Sequence, residues 1–317
     1  MLLYLNHFNF GMFDKQKYLW SDGKIVDWES AQVHVSCWSL HYGVGFFEGL
    51  RAYEGKDNTY IVRLGEHVDR LFNSAKIYGI QIPYTKEEIS KGIIDTVAKN
   101  KLKSCYIRPI VFLGEMKALG LNPESTQVRA AVFAIPFGHY LGADCLEKGI
   151  SCKTSSWRKH SPFIVPVHSK CIGNYANVYL EKQEAQKDGY AEAIVLDERG
   201  FVCEGSAENI FMVKDGKVST PNGASVLLGI TRQCVLDICK EEGIALVERD
   251  IARDELYTAD EVFLTGTAGE LTPVTKIDNR VIGSGSRGPV CKKVQEIFFS
   301  AVTGKSKKHS KWVTPVY

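Results

Sequence analysis

The stretch EGSAENIFMVKDGKVSTPNGASVLLGITR, Glu204–Arg232, decides the reading of this chain. A carboxylate (Glu204) comes first, with a small polar cluster around Ser206 and Asn209. The apolar run Ile210–Val213 then reads as a strand core, and Asp215-Gly216 as the turn that ends it. The segment closes on Leu227-Leu228-Gly229-Ile230-Thr231-Arg232, just before a helical pattern. Thr231 is placed to cap that helix, whose first backbone N–H groups and dipole favour an anion.

Working outward, Lys170 lies 34 residues before Glu204, in HSKCIGNY. The sequence puts it at an apolar strand end beside a helix start. Desolvation there disfavours an ammonium and frees the amine to attack an aldehyde. Tyr175 follows five residues later, within reach of the same group. Gly266-Thr267-Ala268-Gly269 after a strand is a second anion-binding turn. Arg63, after the run Tyr60–Val62, is placed to add a bidentate charge to the same anion. An imine-forming lysine, a carboxylate for a ring nitrogen and a phosphate turn are together what a pyridoxal phosphate site requires. Each feature alone has a plainer reading as a solvated lysine, a rim carboxylate or an ordinary loop.

The remaining pattern alternates strands with helices. Ile25-Val26 and Val33-His34-Val35 read as strands, and Arg51–Tyr53 with Tyr60–Arg63 as a hairpin around Glu54-Gly55. Glu66–Tyr78 spaces Val68, Leu71, Phe72, Ala75 and Tyr78 as an amphipathic helix, and Glu87–Lys99 is another. Cys105–Leu113 and Val128–Ile135 read as strands. Residues 1–135 thus form a smaller N-terminal domain and 136–149 a linker; 150–317 form a larger C-terminal domain. That second part carries helices at Tyr175–Lys187, Thr231–Glu242 and Pro289–Phe299, and strands at Glu192–Leu196, Ile210–Val213 and Glu261–Thr265.

Composition bounds the rest. The chain has 317 residues, 44% hydrophobic and 24% charged, with a net charge of +2, which gives no reason to expect nucleic acid. Nine cysteines without metal-type spacing fit reduced thiols in the cytoplasm and no metal site. No run reaches the roughly 18 apolar residues of a membrane span, and the N-terminus lacks a signal-peptide pattern. Lys305, Lys307, Lys308, His309 and Lys311 read as a solvated basic tail.

Taken in order, these residues resemble the class IV (fold-type IV) pyridoxal-phosphate aminotransferases, and among them the branched-chain amino acid aminotransferases. The resemblance is carried by Glu204-x-Ser206-x-x-Asn209-Ile210-Phe211 and Leu227-x-Gly229-Ile230-x-Arg232. It extends to His41-Tyr42-Gly43, Phe47–Tyr53, Tyr106–Pro109, Ser169-Lys170, Gly173–Tyr175 and Thr265–Ala268. It implies a mixed α/β fold of two domains, the larger with a barrel-like sheet. It also implies transamination between leucine, isoleucine or valine and 2-oxoglutarate, in a homodimer or higher homo-oligomer. Lys170 would hold the cofactor, Glu204 its ring nitrogen and Tyr175 its ring hydroxyl. Arg63, Ile230, Thr231 and Thr267 would hold the phosphate. Tyr106 with Thr267-Ala268 would meet the substrate carboxylate, and Arg108 the second carboxylate of glutamate. Tyr42, Phe47, Phe137 and Tyr140 would line the side-chain pocket, some of them from the neighbouring subunit. D-amino acid aminotransferases and aminodeoxychorismate lyases share the class motif, and a non-catalytic relative is the remaining alternative.

Overall fold

The computed structural model describes residues 16–123, 126–138 and 144–317. Among these, two sheets organise the chain. The first is antiparallel throughout, in the order Val313–Pro315, Thr59–Val62, Leu50–Glu54, Cys105–Leu113, Val128–Pro136, Tyr18–Ser21, Lys24–Asp27; the short strand Gly45–Phe47 also pairs with Cys105–Leu113. The helices Leu64–Ile77 and Lys86–Lys99 pack on it. Lys86–Lys99 starts at a capping box: Glu88 N–H donates to Thr85 Oγ1 at 3.1 Å, and Thr85 N–H to Glu88 Oε2 at 2.7 Å.

The second sheet is mixed and barrel-like. Its order is Val202–Gly205, Glu192–Leu196, Ile150–Arg158, Glu270–Ile277, Glu261–Gly266, Asn209–Lys214, Lys217–Thr220, Leu246–Glu248. Ile150–Arg158 lies parallel to both its neighbours, so chain entering Glu192–Leu196 or Glu270–Ile277 beside it must first cross back. The helix Tyr175–Lys187 supplies one of these crossings and packs on this sheet. Apolar packing also runs between the sheets. Tyr53 and Val62 of the first share a buried cluster with Phe211, Val235, Phe263, Phe298 and Trp312.

Two readings of the sequence need correction. Val33-His34-Val35 is not a strand. It finds no sheet edge, and Val33 and Val35 are 53% and 69% exposed; β-branched residues favour strands only where a neighbouring strand gives them a surface to pack on. The four lysines of the basic run 305–311 are exposed as read, but the segment is not a free tail. His309 is buried and shares Glu241 with Lys308, at 2.9 and 2.8 Å. Beyond it Trp312 lies under Arg63, and Val313–Pro315 returns to pair with Tyr60–Val62. A run of like charges is tolerable there because a partner carboxylate and an apolar anchor sit beside it.

Candidate active site

An open cavity lies where the sheets meet, with Lys170 in its wall. Lys170 is not on an apolar strand end. It follows an irregular segment in which Phe163 and Ile164 are exposed, and precedes the short 3-10 turn Ile172–Asn174. Its placement comes instead from across the cavity. Its N–H donates to Ser74 Oγ at 3.0 Å, and its carbonyl accepts from Phe47 N–H at 3.2 Å. Glycines allow this approach: Gly173 N–H donates to the carbonyl of Gly43 at 2.9 Å, and a Cβ on Gly173 would sit 3.0 Å from that oxygen. The amine reaches the Tyr175 hydroxyl at 2.8 Å, and the Phe47 ring packs edge-on to Tyr175.

Glu204 enters from the strand Val202–Gly205, at a register irregularity against Glu192–Leu196 that re-aims its side chain. It is buried and paired with Lys159, and Leu227 N–H donates to its Oε2 at 3.4 Å. Asn209 straps the phosphate-type turn, its Nδ2 donating to the Leu227 carbonyl at 2.9 Å. Position 229 must be glycine, because a Cβ there would lie 2.0 Å from Asn209 Oδ1. Gly229, not Thr231, is the N-cap of the helix Ile230–Glu241. Thr231 therefore sits inside the first turn, where its N–H and that of Ile230 belong to the donors a helix leaves without a backbone partner. Thr231, Ile230 and Thr267 all line the cavity.

Arg63 does not. Its guanidinium is held by Glu66 and Asp237, each at 2.7 Å, and stacks on Trp312. Two carboxylates and an aromatic face already offset that charge, with only Nε left without a hydrogen-bond partner, so it serves the sheet junction. The arginine in the cavity is Arg70, about two turns further along the same helix. Arg70 grips Glu48 through Nε at 2.6 Å and Nη2 at 2.9 Å, and its Nη1 donates to the Leu228 carbonyl at 2.8 Å. His67 Nδ1 also meets Glu48 Oε2, at 2.7 Å. Burial pushes the Glu48 carboxyl up, but Arg70 and His67 more than offset it and hold the group well below the usual range. Thr265 Oγ1, buried in the same wall, has no hydrogen-bond partner in the protein. Cationic, N–H and hydroxyl donors at one end and a carboxylate at the other fit a phosphorylated pyridine with an aldehyde facing Lys170.

The cavity opens into a second chamber. Phe47, Tyr106, Arg108 and Phe137 line one side, and Gly266–Gly269 the other. Arg108 donates to the Tyr106 hydroxyl at 2.9 Å and lies 4.5 Å from the Phe47 ring centroid. The Thr267-Ala268 turn is fixed from behind by Arg51, which bonds the Ala268 and Gly138 carbonyls and pairs with Glu270 at 3.0 Å. Tyr42 is not in this chamber; it packs on Trp38 and His41. Tyr140 lies outside the described residues. Glu208 lines both spaces; burial, with Glu192 beside it, pushes its carboxyl up to about 8.

Comparison with known proteins agrees with this geometry. Residues 45–277 match the family model "Amino-transferase class IV". The branched-chain-amino-acid aminotransferase of Pseudomonas aeruginosa is 45% identical over 305 residues, spanning 96% of this chain and 99% of its own. The T.th. branched-chain amino acid aminotransferase complexed with N-(5'-phosphopyridoxyl)-L-glutamate superposes with a TM-score of 0.91, at 42% identity over 96% of this chain and 99% of its own. The Thermoproteus uzoniensis enzyme with norvaline gives 0.90, at 43% identity over 95% and 99%. A lysine, a carboxylate and a strapped anion turn set around one cavity, and near-complete likeness in sequence and shape, lead to one conclusion: this chain belongs to the class IV aminotransferases, in the branched-chain amino acid group.

Proposed function

We propose that this protein moves amino groups between L-branched-chain amino acids and 2-oxoglutarate, using pyridoxal phosphate. The observation that carries this is the Lys170 amine on the Tyr175 hydroxyl, between an anion seat and an aromatic chamber. The cofactor, when bound, supplies an aldehyde that condenses with amines and a ring that accepts an electron pair.

The residues supply the rest. Arg70, the N–H groups of Ile230 and Thr231, and Thr267 hold the phosphate. Glu204 takes the ring nitrogen, and Tyr175 the ring hydroxyl. Lys170 would give the cofactor its covalent anchor, and its freed amine would take the proton from the substrate α-carbon. Tyr106 and the Thr267-Ala268 turn receive the substrate carboxylate. Phe47 and Phe137 exclude water from an aliphatic side chain, and Arg108 offers a charge when the guest is glutamate.

A homodimer completes the chamber in this reading. Tyr42 stands outside the cavity of its own chain, near the exposed apolar residues Val33, Val35 and Leu40, and would face a neighbour's. Tyr140 is assigned to the side-chain pocket by the resemblance alone. The domain boundary is placed at 136–149, although Val313–Pro315, past that boundary, returns to the first sheet. All nine cysteines are buried and unbridged, which suits a cytoplasmic protein. No helix of the described residues is long and apolar enough to cross a membrane.

The test is the visible spectrum of the purified protein supplied with pyridoxal phosphate. We expect a yellow band that bleaches with L-leucine and not with D-alanine. Bleaching with D-alanine alone would reassign the substrate, and no band at all would end the proposal.

Gly49 gives a second test. A Cβ at position 49 would lie 2.1 Å from the Tyr106 hydroxyl. Gly49→Ala therefore pushes the tyrosine off Arg108. A hydrogen bond to a charged group contributes about 1.5–3 kcal/mol. Steady-state kinetics should show KM for 2-oxoglutarate rising about tenfold or more, consistent with that range. An unchanged KM would remove Tyr106 and Arg108 from the substrate site.

A further inference from the structure

One buried cation in the cavity has no role in the proposed reaction so far. Lys159 follows the strand Ile150–Arg158, and its ammonium pairs with Oε1 of Glu204. The two side chains are only 14% and 5% exposed, and both line the cavity with Lys170 and Tyr175. Burial works against a lysine's charge, but the Glu204 carboxylate more than offsets it, so Lys159 is held above the ordinary lysine range. A third group completes the cluster. Glu181, on the helix Tyr175–Lys187, is fully buried. Its Oε1 accepts from Asn177 Nδ2 at 2.6 Å, and its Oε2 has no hydrogen-bond partner. Burial pushes Glu181 up to about 7, against the pull of Lys159. Near neutral pH it is a weak rival for the ammonium. Glu192, the next carboxylate along, is already paired with Lys182.

We infer that Lys159 is a positioning residue for the reaction: by pairing with Glu204 it keeps that carboxylate anionic, so that the proton shared with the cofactor ring stays on the ring nitrogen. The inference rests on Glu204 being the ring-nitrogen partner, as proposed above. A proton between a carboxylate and a pyridine nitrogen settles where the surrounding charges favour it. An ammonium in contact with the carboxylate stabilises its negative charge at short range. It opposes the ring's positive charge only from beyond that carboxylate, at longer range, and the nearer interaction dominates. Without the ammonium, the neutral acid beside a neutral ring gains ground, and the ring becomes a poorer electron acceptor.

The test uses full-length protein loaded with pyridoxal phosphate labelled with 15N in the ring. Lys159→Met removes the charge and keeps most of the stem; Lys159→Gln does so while keeping a hydrogen bond to Glu204; Lys159→Arg keeps the charge. The ring 15N shift is read without substrate, and the single-turnover rate is read with L-leucine. In the wild type the shift should be that of a protonated pyridine. In whichever neutral variant folds, it should move at least halfway to the unprotonated value, and the rate should fall at least tenfold, with full cofactor occupancy. Lys159→Arg should restore the shift and bring the rate within threefold of wild type. A neutral variant with a wild-type shift and a rate within twofold overturns the inference. So does a wild-type ring nitrogen without a proton, which would leave amino-group transfer itself standing. A wild type that binds no cofactor defeats the functional reading along with it.

Discussion

Lys170→Ala should abolish turnover and leave the fold in place. The amine is the covalent anchor and the only basic group placed at the substrate α-carbon in the proposed mechanism. Removing a general base costs about 10²–10⁴ in rate, and losing the nucleophile adds to that. We expect a loss of at least about 10⁴, with no visible imine band. Stability should change little. The side chain is half-buried, and its hydrogen bond is to the Tyr175 hydroxyl, which keeps access to the open cavity. The contacts that hold this loop, to Ser74 and Phe47, are made by backbone atoms that alanine retains. Circular dichroism and thermal melts check the fold, and stopped-flow mixing with L-leucine checks the rate. A variant turning over within tenfold of wild type would refute the assignment.

Arg70→Ala should damage both stability and cofactor binding. Glu48 is fully buried and relies on Arg70 and His67 for compensation. Removing one partner of a buried ion pair costs about 3–5 kcal/mol, because the other charge is left uncompensated. The effect has a pH signature. A carboxyl held low in the folded state adds stability that is fully present above its unfolded value of about 4.3 and is lost as pH falls through the folded value. His67, lowered by burial, acts in the same direction, because acid must charge it in a site that resists charge. Without Arg70 the folded value of Glu48 rises, so acid unfolding should move to higher pH. Urea unfolding of the cofactor-free protein at several pH values measures this. A pyridoxal phosphate titration should show affinity weakened about 10- to 100-fold, the equivalent of a charged hydrogen bond. Wild-type stability with weak binding would confine Arg70 to the phosphate; the reverse would confine it to the fold.

What the sequence disclosed and what it hid follow from how local the signals are. Strands such as Cys105–Leu113 and Glu192–Leu196 are apolar or alternating runs and fall where the pattern puts them, and so does the helix Tyr175–Lys187, which is bounded by Gly173 and Gly189. The 204–232 segment was legible because Glu204, Asn209 and Gly229 converge within one hairpin and one turn. The sequence points to Arg63 and not to Arg70, because one caps and the other lies within the same helix, and a sequence does not say which face meets a distant turn. A signal was available. His67, Arg70 and Ser74, spaced by three and four, form a polar stripe beside the apolar stripe Val68, Leu71 and Ala75. A helix that buries polar groups in register has something to hold. Arg51 was legible by similar logic, as an arginine between Leu50 and Ala52 in a strand buried along nearly its whole length. Lys159 was not, because its sequence neighbours Arg158 and His160 are themselves polar and nothing local marks it out.

The strand Val313–Pro315 has a consequence for biosynthesis. It pairs with Tyr60–Val62, about 250 residues upstream, in the strand that leads into the helix carrying Arg70. Sheet edges that wait for a distant partner close late, because the intervening chain must be ordered first. At about 5–20 residues per second, a ribosome needs tens of seconds to span that interval. During that time the edge at Thr59–Val62 stands open. Any chaperone dependence of the nascent chain should trace to this one late pairing.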